Sequence, residues 1–463
     1  MKKSPSLFIL AAVAIAILTC SQQASRAQAT WLTAPANGSL TNPANWDGSF
    51  SNGSAWTFTN SSIGTLTNAT TWTNGGITFT PNATNATGGA LSLSGGALTL
   101  TGDILNQGTT QPTNSYAAVI NSSITMSNTT TGYIVWATGS SWTGNGTVTY
   151  GSASNTGRLV LNPQGATNMS GFTGAFIATS GRINANSGSV SANADYTLNN
   201  SGGFFLGLSN TTFNFGSLSG NANIQVNTAG TTNTISIGAK GNNTTFSGNI
   251  STNQGGKINV IKTGTGTLTL SATNTYTGST DVNQGTLLVN GLISNSSALT
   301  VASDGTVGGT GVINGATTIN GALAPGNSIG TLTVSNTLTW NSSTNAWKFE
   351  LGAAGVSMLS PGTSDLLAIT GDFTKGTGSS FAFDFLGTGT QGWYKLVDWS
   401  GTTAFAGTDF SAANLGSGLS GSFTVDSGTS ALYLEVVPEP TTVALLTLSG
   451  IGLAGHVIRR RRR

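Results

Sequence analysis

The stretch KTGTGTLTLSATNTYTGSTDVNQGTLLVN, which runs from Lys262 to Asn290, decides the fold. Apolar residues alternate at Leu268 and Leu270, and again at Leu287 and Val289, and glycine-rich segments flank both runs. Alternation with a period of two residues between glycine-rich turns is typical of half-buried β-strands. The stretch therefore predicts β-structure.

Part of this stretch recurs twice more along the chain. Each copy has an aromatic residue, a hydroxyl residue and glycine, then a second glycine after six further residues, close to a short apolar alternation. The copies begin at Phe172-Thr173-Gly174, Phe246-Ser247-Gly248 and Tyr276-Thr277-Gly278, and their second glycines are Gly181, Gly255 and Gly285. The two divergent copies lie near residues 159–186 and 246–260.

A β-solenoid explains such a repeat. Each coil is too small to bury its own apolar face, so stacked coils form one narrow core and pair their backbones. We expect Phe172, Phe246 and Tyr276 to fill that core, and glycines to take positive φ at the corners of the coils. Thr and Asn are expected to stack in ladders on the outside or at the turns.

The stretch Lys262–Asn290 resembles the autotransporter-associated β-strand repeat of bacterial surface proteins. Downstream, GALAPGNSIGTLTV (Gly321–Val334) resembles the segment that follows such repeats. The resemblance implies a right-handed parallel β-helix. One departure matters, because an autotransporter ends in a membrane β-barrel of alternating strands, whereas this chain ends in an apolar segment and a run of arginines.

The composition narrows the chemistry that the chain can perform. Of 463 residues, 65 are Gly and 6% are charged, against about 25% charged in a usual globular domain. The single cysteine, Cys20, and the single histidine, His456, both lie in terminal apolar segments. The body between them therefore has no disulfide, no Cys or His metal ligand and no Ser-His-Asp triad. We expect no cofactor and no metal.

The net charge of +2 belongs to the ends of the chain. Lys2, Lys3, Arg26 and the terminal arginines account for half of the bases, and acids outnumber bases in the remaining body. A protein that binds nucleic acid needs a basic patch. We therefore expect no nucleic-acid partner.

Residues 1–29 have the features of a secretory signal peptide that the Sec export machinery would recognise. Lys2 and Lys3 precede an apolar run from Leu7 to Leu18, and Ala27-Gln28-Ala29 offers a cleavage site before Thr30. Two alternatives remain open, a short membrane anchor or core helix and a lipoprotein modified at Cys20.

The C-terminus predicts a sorting signal. Pro438-Glu439-Pro440 precedes an apolar stretch from Thr441 to Ile458, which as a helix would span about 27 Å, close to the thickness of a hydrocarbon core. The positive-inside rule would keep the terminal arginines in the cytoplasm. These arginines are Arg459, Arg460, Arg461, Arg462 and Arg463.

These features resemble the PEP-CTERM sorting signal of Gram-negative bacteria. The resemblance implies a membrane protease, the exosortase, as partner, with cleavage near Pro438-Glu439-Pro440. It also implies an inner-membrane intermediate and a final place at the cell surface or in the extracellular matrix. The alternative is a plain tail anchor that is never cleaved.

We therefore predict an all-β chain with four segments. A signal helix at 1–29 precedes a right-handed parallel β-helix, the β-solenoid, at 30–355. A small antiparallel β-domain follows at 356–437, because asparagine becomes rare past residue 350 and Ser360-Pro361-Gly362 marks a break. A transmembrane helix lies within the sorting signal at 438–463.

Other candidate sites have weak support in the sequence. Gly308–Gly315 (GGTGVING) lacks the strand-then-helix setting of a phosphate loop, and scattered aspartates lack a calcium-binding spacing. Parallel β-helices also host polysaccharide lyases and hydrolases, which need a base or paired carboxylates, and exposed tryptophans can stack on sugars. The aspartates are Asp281, Asp304, Asp365, Asp372 and Asp384, and the possible catalytic groups are Arg158, Arg182, Lys240, Lys257, Lys262, Asp195, Asp281 and Asp304. The tryptophans are Trp31, Trp46, Trp56, Trp72, Trp136, Trp142, Trp340, Trp347, Trp393 and Trp399.

The function predicted from the sequence is structural or adhesive rather than enzymatic. An exported, repetitive surface would contact cells or exopolysaccharide. The alternatives are a carbohydrate-active β-helix enzyme, which predicts a groove with converging charged side chains, and an anchored carbohydrate-binding protein, which predicts an exposed row of tryptophans.

Overall fold

The computed structural model describes the chain mainly from residue 141 to residue 439. Before residue 141 it describes strands at 28–31, 46–47, 55–58, 65–68, 72–74, 76–79, 90–95, 98–100, 104–106, 117–120, 124–126 and 132–136. Within 141–439 it leaves out residues 152–157, 164–167, 187, 208–209, 227–228, 253–254, 295, 342–344 and 387–388. The predicted transmembrane helix and the predicted signal helix, apart from its last two residues Gln28 and Ala29 in a strand, lie outside the described residues.

The chain divides into two compact units, and the first consists of residues 1–191 and 200–202. Its strands are β1 (Gln28–Trp31), β2 (Trp46–Asp47), β3 (Ala55–Phe58), β4 (Thr65–Asn68), β5 (Trp72–Asn74), β6 (Gly76–Phe79), β7 (Ala90–Gly95), β8 (Leu98–Leu100), β9 (Ile104–Asn106), β10 (Ala117–Ile120), β11 (Ile124–Met126), β12 (Gly132–Trp136), β13 (Ser141–Gly144), β14 (Thr147–Tyr150), β15 (Arg158–Pro163), β16 (Asn168–Phe172), β17 (Ala175–Ala178) and β18 (Arg182–Ala185).

Strand β1 pairs antiparallel with β2 and in parallel with β3. Strands β3 to β18 form three parallel ladders in which each strand pairs with the third strand after it. The ladders are β3-β6-β9-β12-β15-β18, β4-β7-β10-β13-β16 and β5-β8-β11-β14-β17. Partners lie from 21 residues apart, at Ala55 and Gly76, to 30 residues apart, at Ile104 and Ile134. A chain that returns to its own backbone at this spacing, always in parallel, is a three-sided β-solenoid.

The second unit consists of residues 192–199 and 203–463. Its strands are β19 (Asp195–Leu198), β20 (Phe204–Leu206), β21 (Thr212–Phe215), β22 (Ser217–Gly220), β23 (Ile224–Val226), β24 (Thr232–Ile237), β25 (Thr244–Phe246), β26 (Ile250–Thr252), β27 (Lys257–Lys262), β28 (Thr267–Leu270), β29 (Thr273–Asn274), β30 (Thr280–Val289), β31 (Leu292–Ile293), β32 (Ala298–Gly309), β33 (Val312–Ile313), β34 (Ala316–Ile319), β35 (Ala322–Pro325), β36 (Thr331–Val334), β37 (Leu338–Trp340), β38 (Trp347–Glu350), β39 (Leu366–Ile369), β40 (Phe373–Lys375), β41 (Phe381–Leu386), β42 (Gly392–Trp399), β43 (Phe410–Ala413), β44 (Leu419–Asp426) and β45 (Ala431–Pro438).

Parallel ladders also build the second unit. One runs β21-β24-β27-β30-β32-β34-β37-β40, another runs β29-β31-β33-β36-β39-β42, and β38-β41-β43 forms a separate three-stranded sheet. The long strands β30 and β32 also pair with β28 and β35, which joins neighbouring ladders. The prediction of an all-β solenoid is confirmed, and a 3-10 turn at Gly407–Asp409 is the only helical element in the described part of the chain.

Alternation explains why these segments are strands. In β28 the side chains of Leu268 and Leu270 are buried and Thr267 and Thr269 face outward. The same alternation of buried and half-buried residues runs through all six residues of β24. Because successive side chains of a strand point to opposite faces, the aliphatic residues line the core and the hydroxyl residues cover the outside.

The structure accounts for the first three positions of the repeat. The aromatic rings of Phe172, Phe246 and Tyr276 are fully buried, as predicted. The hydroxyl residue after each ring donates to a backbone carbonyl of the preceding coil, as Thr277 does to Gly256 (3.3 Å). The next glycine, such as Gly278, lies so close to the preceding coil that a Cβ would collide with backbone atoms. The hydroxyl bonds of the other copies are Thr173 to Gly144 (3.2 Å) and Ser247 to Gly220 (3.2 Å).

The second glycine of each copy has positive φ, which confirms that prediction. The angles are +74° at Gly181, +79° at Gly255 and +70° at Gly285. Side chains with a Cβ avoid this region of backbone space, so glycine lets the chain turn between two strands at Gly181 and Gly255 and bend within β30 at Gly285.

The C-terminal part combines continued coils with an antiparallel cap. Parallel pairing passes the boundary predicted near residue 355, because β36 pairs with β39, β37 with β40 and β38 with β41. Among the described strands after β2, antiparallel strand pairing is found at the C-terminal end, where β45 pairs with both β42 and β44. The domain boundaries themselves stay a prediction. The hairpin of β44 and β45 ends the β29-to-β42 ladder and covers its edge.

Candidate functional site

The described part of the chain ends within the predicted sorting motif. Pro438 is the last residue of β45 and pairs with Leu419. The next residue, Glu439, is exposed, and its backbone N–H donates to the Gly418 carbonyl (2.9 Å). The motif therefore begins at the end of a strand, and the side chain of its glutamate is open to solvent. Pro440 and Arg459–Arg463 lie outside the described residues.

The predicted signal-cleavage site lies at the other end of the chain. Strand β1 starts at Gln28 and pairs in parallel with β3, so Ala29 and Thr30 lie within a strand. Ala27 lies outside the described residues. Cleavage before Thr30 stays a prediction, and it would leave only Thr30 and Trp31 of β1.

The predicted membrane span from Thr441 to Ile458 is also outside the described residues. Within the part that the structure describes, no helix is long and apolar enough to cross a bilayer.

A polar groove is one open site on the second unit. It has a volume of about 510 Å³ and lies where the Ser303–Thr306 bend of β32 meets β38 and β41. Its functional side chains are Asp304, Asn345, Lys348 and Asp384. We call these four residues and their surroundings the polar groove.

The polar groove presents carboxylate, ammonium and amide groups at its surface. Lys348 and Asp384 are cross-strand partners in β38 and β41, and Asp384 accepts a hydrogen bond from Asn414 (2.6 Å). Asp304 and Lys348 are exposed and Asp384 is half-buried. A glycosidase acid is usually held protonated by burial, and neither carboxylate of the groove is buried.

Asp195 and Lys240, both candidates from the sequence, do come together, but as part of a closed network. Their ion pair (2.5 Å) is joined by hydrogen bonds to Asp195 from Ser217 (2.6 Å) and Asn242 (3.0 Å). Partial burial raises the pKa of Asp195, but the hydrogen bonds from Lys240, Ser217 and Asn242 lower it more, so it stays below its usual value. This network ties stacked coils together and leaves the carboxylate little capacity to act as a base.

Lys262, another candidate base, is a structural cation inside the repeat. Its side chain is only 1% exposed. The ammonium group donates to three backbone carbonyls, those of Thr263 (2.7 Å), Gly264 (2.7 Å) and Gln284 (3.1 Å). Burial lowers the pKa of Lys262 to about 8, from an ordinary value of 10.5. Lys262 therefore holds two successive coils together at a corner, and solvent hardly reaches it.

This environment predicts a rise in stability at alkaline pH. Between pH 8 and pH 10.5 the unfolded chain keeps a proton on Lys262 that the folded chain has lost, so the free energy of unfolding increases with pH. The increase relative to Lys262→Met should be at most about 3 kcal/mol. Urea denaturation of both proteins across this range measures it, and parallel curves for the two proteins would contradict the assignment.

Asp365 is the other buried charged group in this unit that departs from its usual pKa. Its two carboxylate oxygens accept the backbone N–H groups of Gly330 (2.9 Å) and Glu350 (2.7 Å). Burial raises the pKa of Asp365 to about 6 despite these bonds, and the charge of Glu350 adds to the increase. Asp365 joins the segment before β36 to β38 and β39, so its role is to hold strands in place.

The other candidates from the sequence are scattered and have local partners. Asp281 accepts a hydrogen bond from Ser279, and Asp372 accepts two from Thr402. The Arg182 side chain donates to Asn184 in the same strand. Within the described residues, no group of three Asp, Glu, His or Cys side chains is arranged to hold a metal.

The structure also shows where four of the tryptophans and the glycine-rich segment lie. Trp340, Trp347 and Trp399 are buried, and Trp393 is half-exposed. Gly308–Gly315 continues as strand through the end of β32 and through β33. The side chains of the six earlier tryptophans and of Arg158 lie outside the described residues.

Sequence reasoning missed two features of the site. The polar groove brings together Asp304 and Asp384, which are 80 positions apart, and only the register of the coils makes them neighbours. The other is Lys348, which was not among the candidate bases. Its strand WKFE has the alternation that places Lys348 on the outside, and this was the available signal.

Comparisons with known proteins agree with both resemblances. A family model described as the passenger-associated-transport-repeat matches residues 260–289. A second, described as the PEP-CTERM protein-sorting motif, matches residues 436–463. No curated protein matches the chain. The first match covers β28, β29, β30 and the end of β27, and the second begins within β45.

Proposed function

Because the PEP-CTERM motif implies export to the envelope of a Gram-negative bacterium and processing by an exosortase, we propose that this protein is a structural or adhesive component of the cell surface or extracellular polysaccharide matrix. The Sec machinery exports it. The segment Thr441–Ile458 holds it transiently in the inner membrane, with Arg459–Arg463 in the cytoplasm. The exosortase then cleaves near Pro438-Glu439-Pro440, and the body remains outside.

The observation that carries this proposal is the outer surface of the coils. Uncharged hydroxyl and amide side chains stack from coil to coil, as Thr197 does on Ser219 (3.0 Å) and Asn341 on Asn320 (2.7 Å). Such a surface repeats the same donors and acceptors at regular spacing, which suits repetitive contact with a hydroxyl-rich polymer. We propose no catalytic role for the body.

A second candidate function, carbohydrate binding at one defined site, is favoured by the polar groove. Its mixed charges and amide can donate to and accept from sugar hydroxyls. If this is the main function, Asp304→Ala should abolish binding of the host's exopolysaccharide while Asp372→Ala, at a half-buried aspartate outside the groove, leaves it intact. If binding is distributed over the coils, both variants should bind equally.

Processing is the sharpest test of the main proposal. Mass spectrometry of the protein from the cell surface should find its C-terminus near Glu439, with the arginine tail absent. Glu439→Gln should make the precursor accumulate, because it changes the exposed side chain within the motif. Glu435→Gln, four residues earlier in β45 and outside the tripeptide, is the matched control and should be processed normally. Recovery of intact Arg463 at the surface would contradict the proposal and favour a permanent tail anchor.

A further inference from the structure

Large exposed hydrophobic side chains gather at one end of the cap. Among the described residues they are Val356 (88% exposed), Leu359 (82%), Ile329 (44%) and Leu386 (44%). Val356 and Leu359 lie in the loop between β38 and β39. The other two flank its base, because a Cβ at Gly352 would touch Ile329 and Leu386 pairs with Glu350. We call Val356 and Leu359 the apolar tip.

The loop that carries the apolar tip is held by backbone hydrogen bonds. Gly352 N–H donates to Thr363 and Thr363 N–H donates to Ala353 (both 2.8 Å), which closes its base. Gly355 and Gly362 both donate to the carbonyl of Trp393 (3.0 and 2.8 Å), which fixes it to β42. The segment 351–364 contains no charged residue. A fixed, uncharged loop that exposes two aliphatic side chains is a site for contact with another apolar surface.

The apolar tip lies at the end of the sheet where the chain leaves the fold. Trp393, which holds the loop, pairs with Glu435 in β45. Three residues later β45 ends at Pro438. Only Pro440 separates Glu439 from Thr441, so the apolar segment starts within about 7 Å of the folded end. The tip and the start of the apolar segment are therefore on the same side of the cap.

We propose that the apolar tip inserts into the interface of the lipid bilayer while Thr441–Ile458 spans it. This inference rests on the proposed function, because the membrane intermediate is part of that proposal. Two contacts, the tip and the span, would hold the cap at a fixed height and orientation. The exosortase would then meet Pro438-Glu439-Pro440 in one geometry instead of on a freely rotating tether.

The shape and size of the tip favour lipid over two other occupants. A helix formed by Thr441–Ile458 would need a groove, whereas Val356 and Leu359 project from a loop. A second copy of the chain would need an interface of roughly 1,200 Å² or more, which two side chains do not supply. Because the loop has no basic residue and Glu350 directly precedes it, we expect neutral phospholipid to suffice and anionic lipid to add nothing.

Fluorescence quenching in phosphatidylcholine vesicles tests this inference on the full chain. In a Cys20→Ala background, Leu359→Cys carries an environment-sensitive fluorophore at the tip. The matched control is Ser427→Cys, in the exposed turn between β44 and β45, at the far end of a hairpin whose strands are about 26 Å long. Far-UV circular dichroism checks that both variants fold, and an alkaline wash checks that the chain stays in the membrane.

We expect a bilayer-embedded quencher to dim the probe at 359 several-fold more than the probe at 427, and aqueous iodide to do the reverse. Equal quenching of both probes by iodide, on a chain that resists the alkaline wash, would overturn this inference and leave the proposed function standing. Protection of position 359 from both quenchers would also overturn it, in favour of cover by the chain's own segment or, if dilution removes the protection, by a second copy. A chain that washes off the vesicles would overturn the membrane step of the proposed function and this inference with it.

Discussion

Replacing Gly278 with alanine is expected to lower the free energy of unfolding by about 3 kcal/mol or more. The Gly278 N–H donates to the Ile258 carbonyl of the preceding coil (3.1 Å). A Cβ at this position would collide with that same carbonyl oxygen and with the Asn259 side chain. Because the obstacle is the backbone of the neighbouring coil, the coils must separate to admit the methyl group. Urea denaturation, with hydrogen exchange of β27 and β30 as a local readout, measures the loss.

The matched control is Gly255→Ala, in another copy of the repeat. Gly255 has φ of +79°, but no heavy atom lies within 4 Å of the position that a Cβ would take. Alanine there meets only the backbone penalty, which is about 1–2 kcal/mol. A loss at Gly255 as large as the loss at Gly278 would mean that backbone conformation, and not the approach of the coils, explains both glycines.

The repeat could be predicted from the sequence because its positions carry one physical requirement each. Tyr276 is the ring that fills the core, Thr277 bonds the coil before it, Gly278 admits that coil, and Gly285 lets β30 bend. Each requirement strongly restricts the residue type at its position. The pattern can therefore be recognised even in a chain that is rich in Thr, Asn and Gly. Strand alternation supplied the rest of the solenoid.

The role of Lys262 could not be predicted in the same way. A lysine beside Thr and Gly at the end of a strand has the composition of an exposed turn, and such a lysine is a reasonable candidate for a catalytic base. Its burial depends on the Gln284 carbonyl of the next coil and on the bend at Gly264. These contacts follow from the stacking register, which one strand's sequence does not contain.

The polar groove was missed for a related reason. Partners in the early ladders are 21 to 30 residues apart, but Lys348 and Asp384 are 36 residues apart, because the loop carrying the apolar tip interrupts the coil between them. The change in composition near residue 355 predicts a domain boundary. In the structure it coincides with this loop, and parallel pairing resumes beyond it.

Replacing Trp340, in the aromatic cluster below the polar groove, is expected to cause a large loss of stability. Trp340 and Trp347 are buried and stack with ring centroids 3.5 Å apart, and Phe381 packs edge-on against Trp340 at 5.1 Å. Trp340→Ala should therefore cost about 4 kcal/mol. It should also loosen the groove, because Lys348 lies on the opposite face of the strand that begins with Trp347.

Trp347→Phe is the control that separates packing from hydrogen bonding in this cluster. The Trp347 Nε1 group is buried and has no hydrogen-bond partner among the described residues. Phenylalanine keeps an aromatic ring in the stack and removes the unpaired N–H, so the two effects partly offset and the loss should stay below about 1.5 kcal/mol. Thermal denaturation of both variants measures the difference. If Trp347→Phe proves as costly as Trp340→Ala, the tryptophan N–H has a partner that holds the coil, and the ring stack is not the main source of stability.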